Sequence, residues 1–150
     1  MAGFHQTEWI AADPATVFNS IIGTGAAEHI TENHVSMKKL TDGDVGVGTL
    51  YSETRVVNGT TATTELEVIG FESPSYYAVQ AEVQGILTVY HYRLSAENEG
   101  TRLNLECVIT ANSFLKRFLI PIVSGIMQKQ DGNHLERVKA YVEGLQAADA

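Results

Sequence analysis

Glu53 and Arg55 stand two apart in one β-branched stretch, and Tyr90 and Tyr92 stand two apart in another. Residues two apart on a strand share a face. A carboxylate beside a guanidinium on an inner face would anchor a ligand carboxylate or hydroxyl, and burial would raise the Glu53 pKa toward that of a general base. Alternation does not decide the face, because Tyr51, Glu53, Arg55 and Val57 compete for the interior with Leu50, Ser52, Thr54 and Val56. Tyrosine joins an apolar ring to a hydroxyl that needs a partner. Tyr90 and Tyr92 are therefore either polar handles in a cavity or core residues with hydroxyls bonded to backbone or water. On the first reading, exchanging either for Phe leaves folding unchanged and weakens binding of a hydroxyl- or carbonyl-bearing ligand. Gln130 and His134 continue the line of Ile126 toward Val138 at four-residue spacing. They are ligand contacts if the helix is continuous. They lie in water if Asp131-Gly132-Asn133, a poor helix interior, rotates or breaks it.

Other chemistries find little support. Five histidines are present, His5, His29, His34, His91 and His134, with no His-Glu-x-x-His or Cys-x-x-Cys pattern among them. A metal site needs three or four converging ligands, so neither a metal nor a cofactor is expected. The glycine-rich segment Gly43 to Gly48 leads into a strand and carries no lysine, whereas a phosphate loop presents Gly-Lys-Ser/Thr at the start of a helix. Cys107 has no base in its own face phase and is expected to be a small interior side chain.

The chain has 150 residues and a formal net charge of -8, and its Lys and Arg are adjacent only at Lys38-Lys39 and Lys116-Arg117. So acidic a surface repels phosphate backbones, which argues against nucleic acid as a partner. The longest apolar run, Phe118 to Val123, is far below the ~20 residues of a membrane span, so no stable membrane insertion is expected. A single cysteine permits no intrachain disulfide, and Met1 to Ile10 lacks the apolar segment of a signal peptide. The expected compartment is the cytoplasm.

These residues must be positioned by a short list of elements. A strand is expected over about Gly3 to Ala11, then Asp13-Pro14 as helix cap and first helical residue, with Val17, Phe18, Ile21 and Ile22 on one face. A second short helix follows at Ala26 to Ile30. Strands are expected at Val35–Leu40, Thr49–Val57, Thr60–Phe71, Tyr76–Val83, Ile86–Ser95 and Thr101–Thr110, with Asn58-Gly59 as a hairpin turn. Tyr90 and Tyr92 share a face with Ile86, Thr88 and Leu94, and Leu103, Leu105, Cys107 and Ile109 share one on the next strand. From Ser113 the period becomes helical, with Leu115, Leu119, Ile122, Ile126, Leu135, Val138, Val142 and Leu145 in a stripe. A sheet of about six or seven strands must twist and coil. Only the terminal helix is long enough to cover its apolar face.

Short segments along the whole chain resemble one family. They are Ile10-Ala11-Ala12-Asp13-Pro14-Ala15-Thr16-Val17-Phe18, Val45-Gly46-Val47-Gly48-Thr49, Val68-Ile69-Gly70-Phe71-Glu72-Ser73-Pro74 and Gly100-Thr101-Arg102-Leu103-Asn104-Leu105. Their order and spacing are similar to the START-like (SRPBCC) superfamily, in its polyketide cyclase/dehydrase-like branch. The resemblance implies an α+β helix-grip fold, shared with the birch pollen allergen, as a single domain over residues 1–150. In it a strongly curved antiparallel sheet wraps a long C-terminal helix, with two short helices after the first strand. It also implies a cavity for a small apolar or amphipathic ligand, either simply bound or acted on by a cofactor-independent cyclase, aromatase or dehydratase. The cavity candidates are Tyr51, Glu53, Arg55, Tyr90, Tyr92, Leu103, Leu105, Phe118, Ile122, Ile126, Gln130 and His134. Catalytic residues are not assigned, and a homodimer is left open.

Overall fold

A computed structural model describes residues 2–149. The elements are β1 (Ala2–Ile10), α1 (Pro14–Ile21), α2 (Ala27–Ile30), β2 (His34–Lys39), β3 (Leu50–Val57), β4 (Thr60–Glu72), β5 (Tyr76–Val83), β6 (Ile86–Glu97) and β7 (Gly100–Ala111). A 3-10 segment (Phe114–Leu119), α3 (Ile120–Asp131) and α4 (His134–Asp149) complete the chain. The order is the expected one. The strands form one antiparallel sheet ordered β1-β7-β6-β5-β4-β3-β2. β1 and β2 are thus consecutive strands at opposite edges, and α1 and α2 carry the chain across the gap.

Local chemistry accounts for the turns and caps. The Thr16 N–H donates to Asp13 Oδ1 at 2.9 Å, and Pro14 opens α1 where its missing N–H is not needed. Asn58 and Gly59 both have positive φ, 52° and 80°, as a type I′ hairpin turn requires. Register shifts at His34/Ser36 and Val68/Gly70 bend the sheet. A side chain at Gly70 would come within 2.4 Å of the Tyr76 ring, so the bend depends on that glycine.

The face phases follow the sequence pattern. Ile86, Tyr92, Leu94, Leu103, Leu105, Cys107 and Ile109 are buried on the concave side. Leu135, Val138 and Val142 of α4, with Val17 and Phe18 of α1, pack onto Tyr92, Leu94, Leu103 and Leu105, while Leu119, Val123 and Met127 pack onto Ile86, Cys107 and Ile109. The covering helix is interrupted. Residues 132 and 133 belong to neither helix, and a side chain at Gly132 would meet the Gln128 carbonyl at 2.5 Å. The break separates α3 from α4 but does not turn its neighbours outward. Gln130, Asp131 and His134 are all buried, so the expectation that a break would leave Gln130 and His134 in water is corrected.

Candidate functional site

A cavity of about 450 Å³ lies between the concave face of the sheet and α3. Its position follows from where the helices lean. α4 packs against β1, α1 and α2, and α3 packs against β1 and β7. α1 covers Tyr51, Val68, Tyr77 and Leu94, which leaves the rest of the inner faces of β3 to β6 without a covering layer. Ala62, Thr64, Ala81 and Thr88 line this open wall. Side chains so short cannot bridge to α3, and the space stays unfilled. Leu66, Val79, Val123 and Met127 make the remaining wall largely apolar.

One end of the cavity is polar, and Asp131 organises it. The Arg55 guanidinium donates from Nη2 to Asp131 Oδ1 at 2.9 Å and from Nη1 to Oδ2 at 3.4 Å. Both side chains are almost out of water, at 13% and 5% exposure. Arg55 Nε and Nη2 also donate to the Glu32 carbonyl at 3.2 and 3.0 Å. The Tyr90 hydroxyl donates to Asp131 Oδ2. Gln6 Nε2 donates to the Asp131 carbonyl, and the Leu135 N–H donates back to Gln6 Oε1 at 3.1 Å. A buried ion pair is tolerable only when its remaining donors and acceptors are satisfied in this way.

His134 sits beside this network in a defined tautomer. Its Nδ1 lies 2.8 Å from the Ile30 carbonyl, which can only accept, so Nδ1 carries the proton. Burial lowers the pKa and keeps the ring neutral. Nε2 is then an acceptor, and the Tyr92 hydroxyl at 2.9 Å donates to it. Burial, reinforced by the Asp131 carboxylate, raises the pKa of both Tyr90 and Tyr92. Both hydroxyl protons are thus committed to the protein, and the expectation that losing either would leave folding unchanged is revised. Gln130 accepts from Asn33 Nδ2 at 3.2 Å.

Glu53 is different. It lines the cavity, and among the described residues no hydrogen bond reaches its carboxylate. Burial raises its pKa; Arg55 opposes that and Asp131 adds to it.

The structure brings together Glu53, Arg55, Tyr90, Tyr92, Ile126, Gln130 and His134 around one space. The face of β3 left open by alternation is settled, since Glu53, Arg55 and Val57 all point inward. Five other candidates lie elsewhere. Tyr51, Leu103 and Leu105 are fully buried in the packed core, the leucines on β7 directly beneath the helices. Phe118 and Ile122 are exposed at 72% and 58%. The cause of that error is the 3-10 segment, whose three residues per turn reset the helical phase. The inward stripe runs Leu119, Val123, Met127, Asp131, not through Leu115 and Ile122. Asp131 is the residue that sequence reasoning missed, having been taken only as a helix breaker. The available signal was the four-residue recurrence Val123, Met127, Asp131, Leu135, which places a carboxylate on an apolar line.

Burial pushes the Cys107 thiol up to about 12, so it is a poor nucleophile. No group of three metal-ligating side chains occurs among the described residues, and no helix among them is long and apolar enough to cross a membrane.

No family model and no curated protein matches the chain. Solved structures do. Ara h 8.0201 superposes with a TM-score of 0.76 at 15% identity over 95% of this chain and 97% of that one. TTHA0849 from Thermus thermophilus gives 0.75 at 15% identity over 95% and 98%. The di-domain ARO/CYC StfQ from the steffimycin biosynthetic pathway gives 0.75 at 10% identity, covering 97% of this chain and 52% of that one. Likeness of backbone at such low identity is likeness of fold, and the fold of this chain is the helix-grip fold.

Proposed function

We propose that the protein binds a small apolar or amphipathic molecule, of lipid, polyketide-like or aromatic type, in the cavity between sheet and α3. The observation that carries this reading is an unfilled space of about 450 Å³ whose walls are largely apolar and whose charged groups, Glu53, Arg55 and Asp131, stand together. That is the usual build of a small-molecule site, in which burial supplies affinity and a few polar groups orient the guest. The acidic surface and the single cysteine support a cytoplasmic protein that does not engage nucleic acid.

Native mass spectrometry of the protein as purified tests the reading, together with titration of a polarity-sensitive dye. A co-purified small molecule, or a saturable dye signal lost when Ala81→Trp fills the cavity, is the expected result. A dye signal indifferent to Ala81→Trp places the dye outside the cavity and removes the support.

A second reading makes the same cavity the site of a cyclase, aromatase or dehydratase. Glu53 favours it, as an unpartnered carboxyl with a raised pKa at the polar end, suited to hold or move a proton. Tyr90 and Tyr92 would position a substrate oxygen. The ARO/CYC protein of the same fold keeps this reading in view. Conversion of a soaked polyketide-like compound, lost in Glu53→Gln with binding retained, would select it over simple binding.

A further inference from the structure

The polar end of the cavity has an unequal supply of donors and acceptors, and this inference rests on the binding reading above. Among the described residues Arg55 is the only cation lining it, and it has little left to offer. Its Nη1/Nη2 edge is taken by the Asp131 carboxylate and its Nε/Nη2 edge by the Glu32 carbonyl. Of five guanidinium N–H groups, one on Nη1 has no such partner. Neither edge remains for the paired hydrogen bonds by which arginine holds a carboxylate. The Tyr90 proton goes to Asp131 and the Tyr92 proton to His134. The His134 proton goes to the Ile30 carbonyl. What is left free at this end is that single Nη1 N–H, the Gln130 side-chain N–H2 and, for the most part, acceptors: the Glu53 carboxyl and the free lone pairs of the two tyrosine oxygens. The charge balance agrees, because Arg55 and Asp131 cancel and Glu53 remains.

We propose that the cavity selects guests whose polar end is a hydroxyl, an alcohol or phenol received by Glu53, and that it rejects guests ending in a carboxylate. A hydroxyl both donates and accepts, so it suits Glu53 with or without its proton. A carboxylate would face the carboxylates of Glu53 and Asp131 with no free arginine edge to offset them. Of the two ligand groups expected at Glu53 and Arg55, a carboxylate or a hydroxyl, this keeps the hydroxyl.

Competition against the bound dye by naphthol, naphthoate and naphthalene tests the proposal near neutral pH. Naphthol should compete about tenfold better than naphthoate, the scale of one charge-assisted hydrogen bond. Any apolar cavity disfavours an anion, so variants at Glu53 decide the matter. In Glu53→Leu, naphthol should fall to the level of naphthalene while naphthalene itself is unchanged. In Glu53→Gln, naphthoate should gain, because the repelling charge is gone and an amide donor replaces it. Naphthol no better than naphthoate in the wild type, or a naphthol affinity indifferent to Glu53→Leu, overturns the proposal while leaving the cavity reading standing. Failure of the dye itself to enter the cavity overturns both.

Discussion

The two helices of the C-terminal arm cover the same sheet and do opposite things. α4 behaves as a plug. Leu135, Val138 and Val142 are essentially without solvent contact and meet Val17, Phe18, Leu103 and Leu105 in a continuous core. α3 behaves as a roof. Val123, Ile126 and Met127 border the cavity, with Val123 and Met127 resting on the small cluster of Ile86, Cys107 and Ile109, while Ile122 faces outward and the polar residues Gln130 and Asp131 are its most buried groups. The difference lies less in helix composition than in what stands opposite. α4 meets large side chains from β1, β7 and α1, while α3 rests along one side on Ile86, Cys107 and Ile109 and on the other looks across the cavity to alanines and threonines on β4 to β6. A helix-grip sheet thus holds its helix at one end and releases it at the other, and the released end becomes the cavity.

The comparison predicts a graded response to substitution. The largest effect is expected for Arg55→Met, which strands the buried Asp131 charge and should cost about 3–5 kcal/mol in denaturant melts. Adding Asp131→Leu should recover much of that loss, because the pair is then replaced rather than broken. Leu135→Ala in the plug should cost about 2–5 kcal/mol. Ile126→Ala in the roof should cost well under half as much, since part of its surface already faces empty space. Equal costs at the two positions would mean that the roof is packed like the plug. Tyr90→Phe should cost about 1–3 kcal/mol by removing a donor from a buried carboxylate. Phe118→Ser, on the outer face of the 3-10 segment, should fall within about 0.5 kcal/mol of the wild type.

The pH response separates the polar groups further. Glu53 has a raised pKa in the folded state, so the folded protein keeps its proton where the unfolded chain has lost it. The stability tied to that proton is present in acid and is lost as pH rises above the ordinary 4.5. His134 works in the other direction. Its pKa is lowered, so below the ordinary 6.5 the unfolded chain takes up a proton first and stability falls with pH. Glu53→Gln should therefore raise the thermal midpoint near neutral pH and leave it unchanged in acid. A shift of equal size at both ends would show that Glu53 does not titrate differently in the folded chain.

The elements could be read closely because each depends on neighbours in sequence. Asp13-Pro14 starts a helix, Asn58-Gly59 closes a hairpin, and alternation from Ile86 to Leu94 marks an inner face wherever the strand ends up. The helical stripe was less secure. A 3-10 segment before Pro121 shifts the phase without changing composition, and so Phe118 and Ile122 were assigned to the wrong side while Asp131 was overlooked.

The amino-acid order alone settled the succession of strands and helices, the acidic surface and the two tyrosines on an inner face, since propensity, charge and period are local properties. Only the tertiary structure decided that β3 turns Glu53 and Arg55 inward, that Arg55 is taken up by Asp131 and the Glu32 carbonyl, and that Glu53 has no hydrogen-bond partner among the described residues. Those facts join residues 55 and 131, 90 and 131, 92 and 134, and 6 and 131. Asp131-Gly132-Asn133 marked where the helix could break, but hydrogen bonds between distant segments depend on how the sheet curls and how the two helices then lie on it, and no local pattern encodes either.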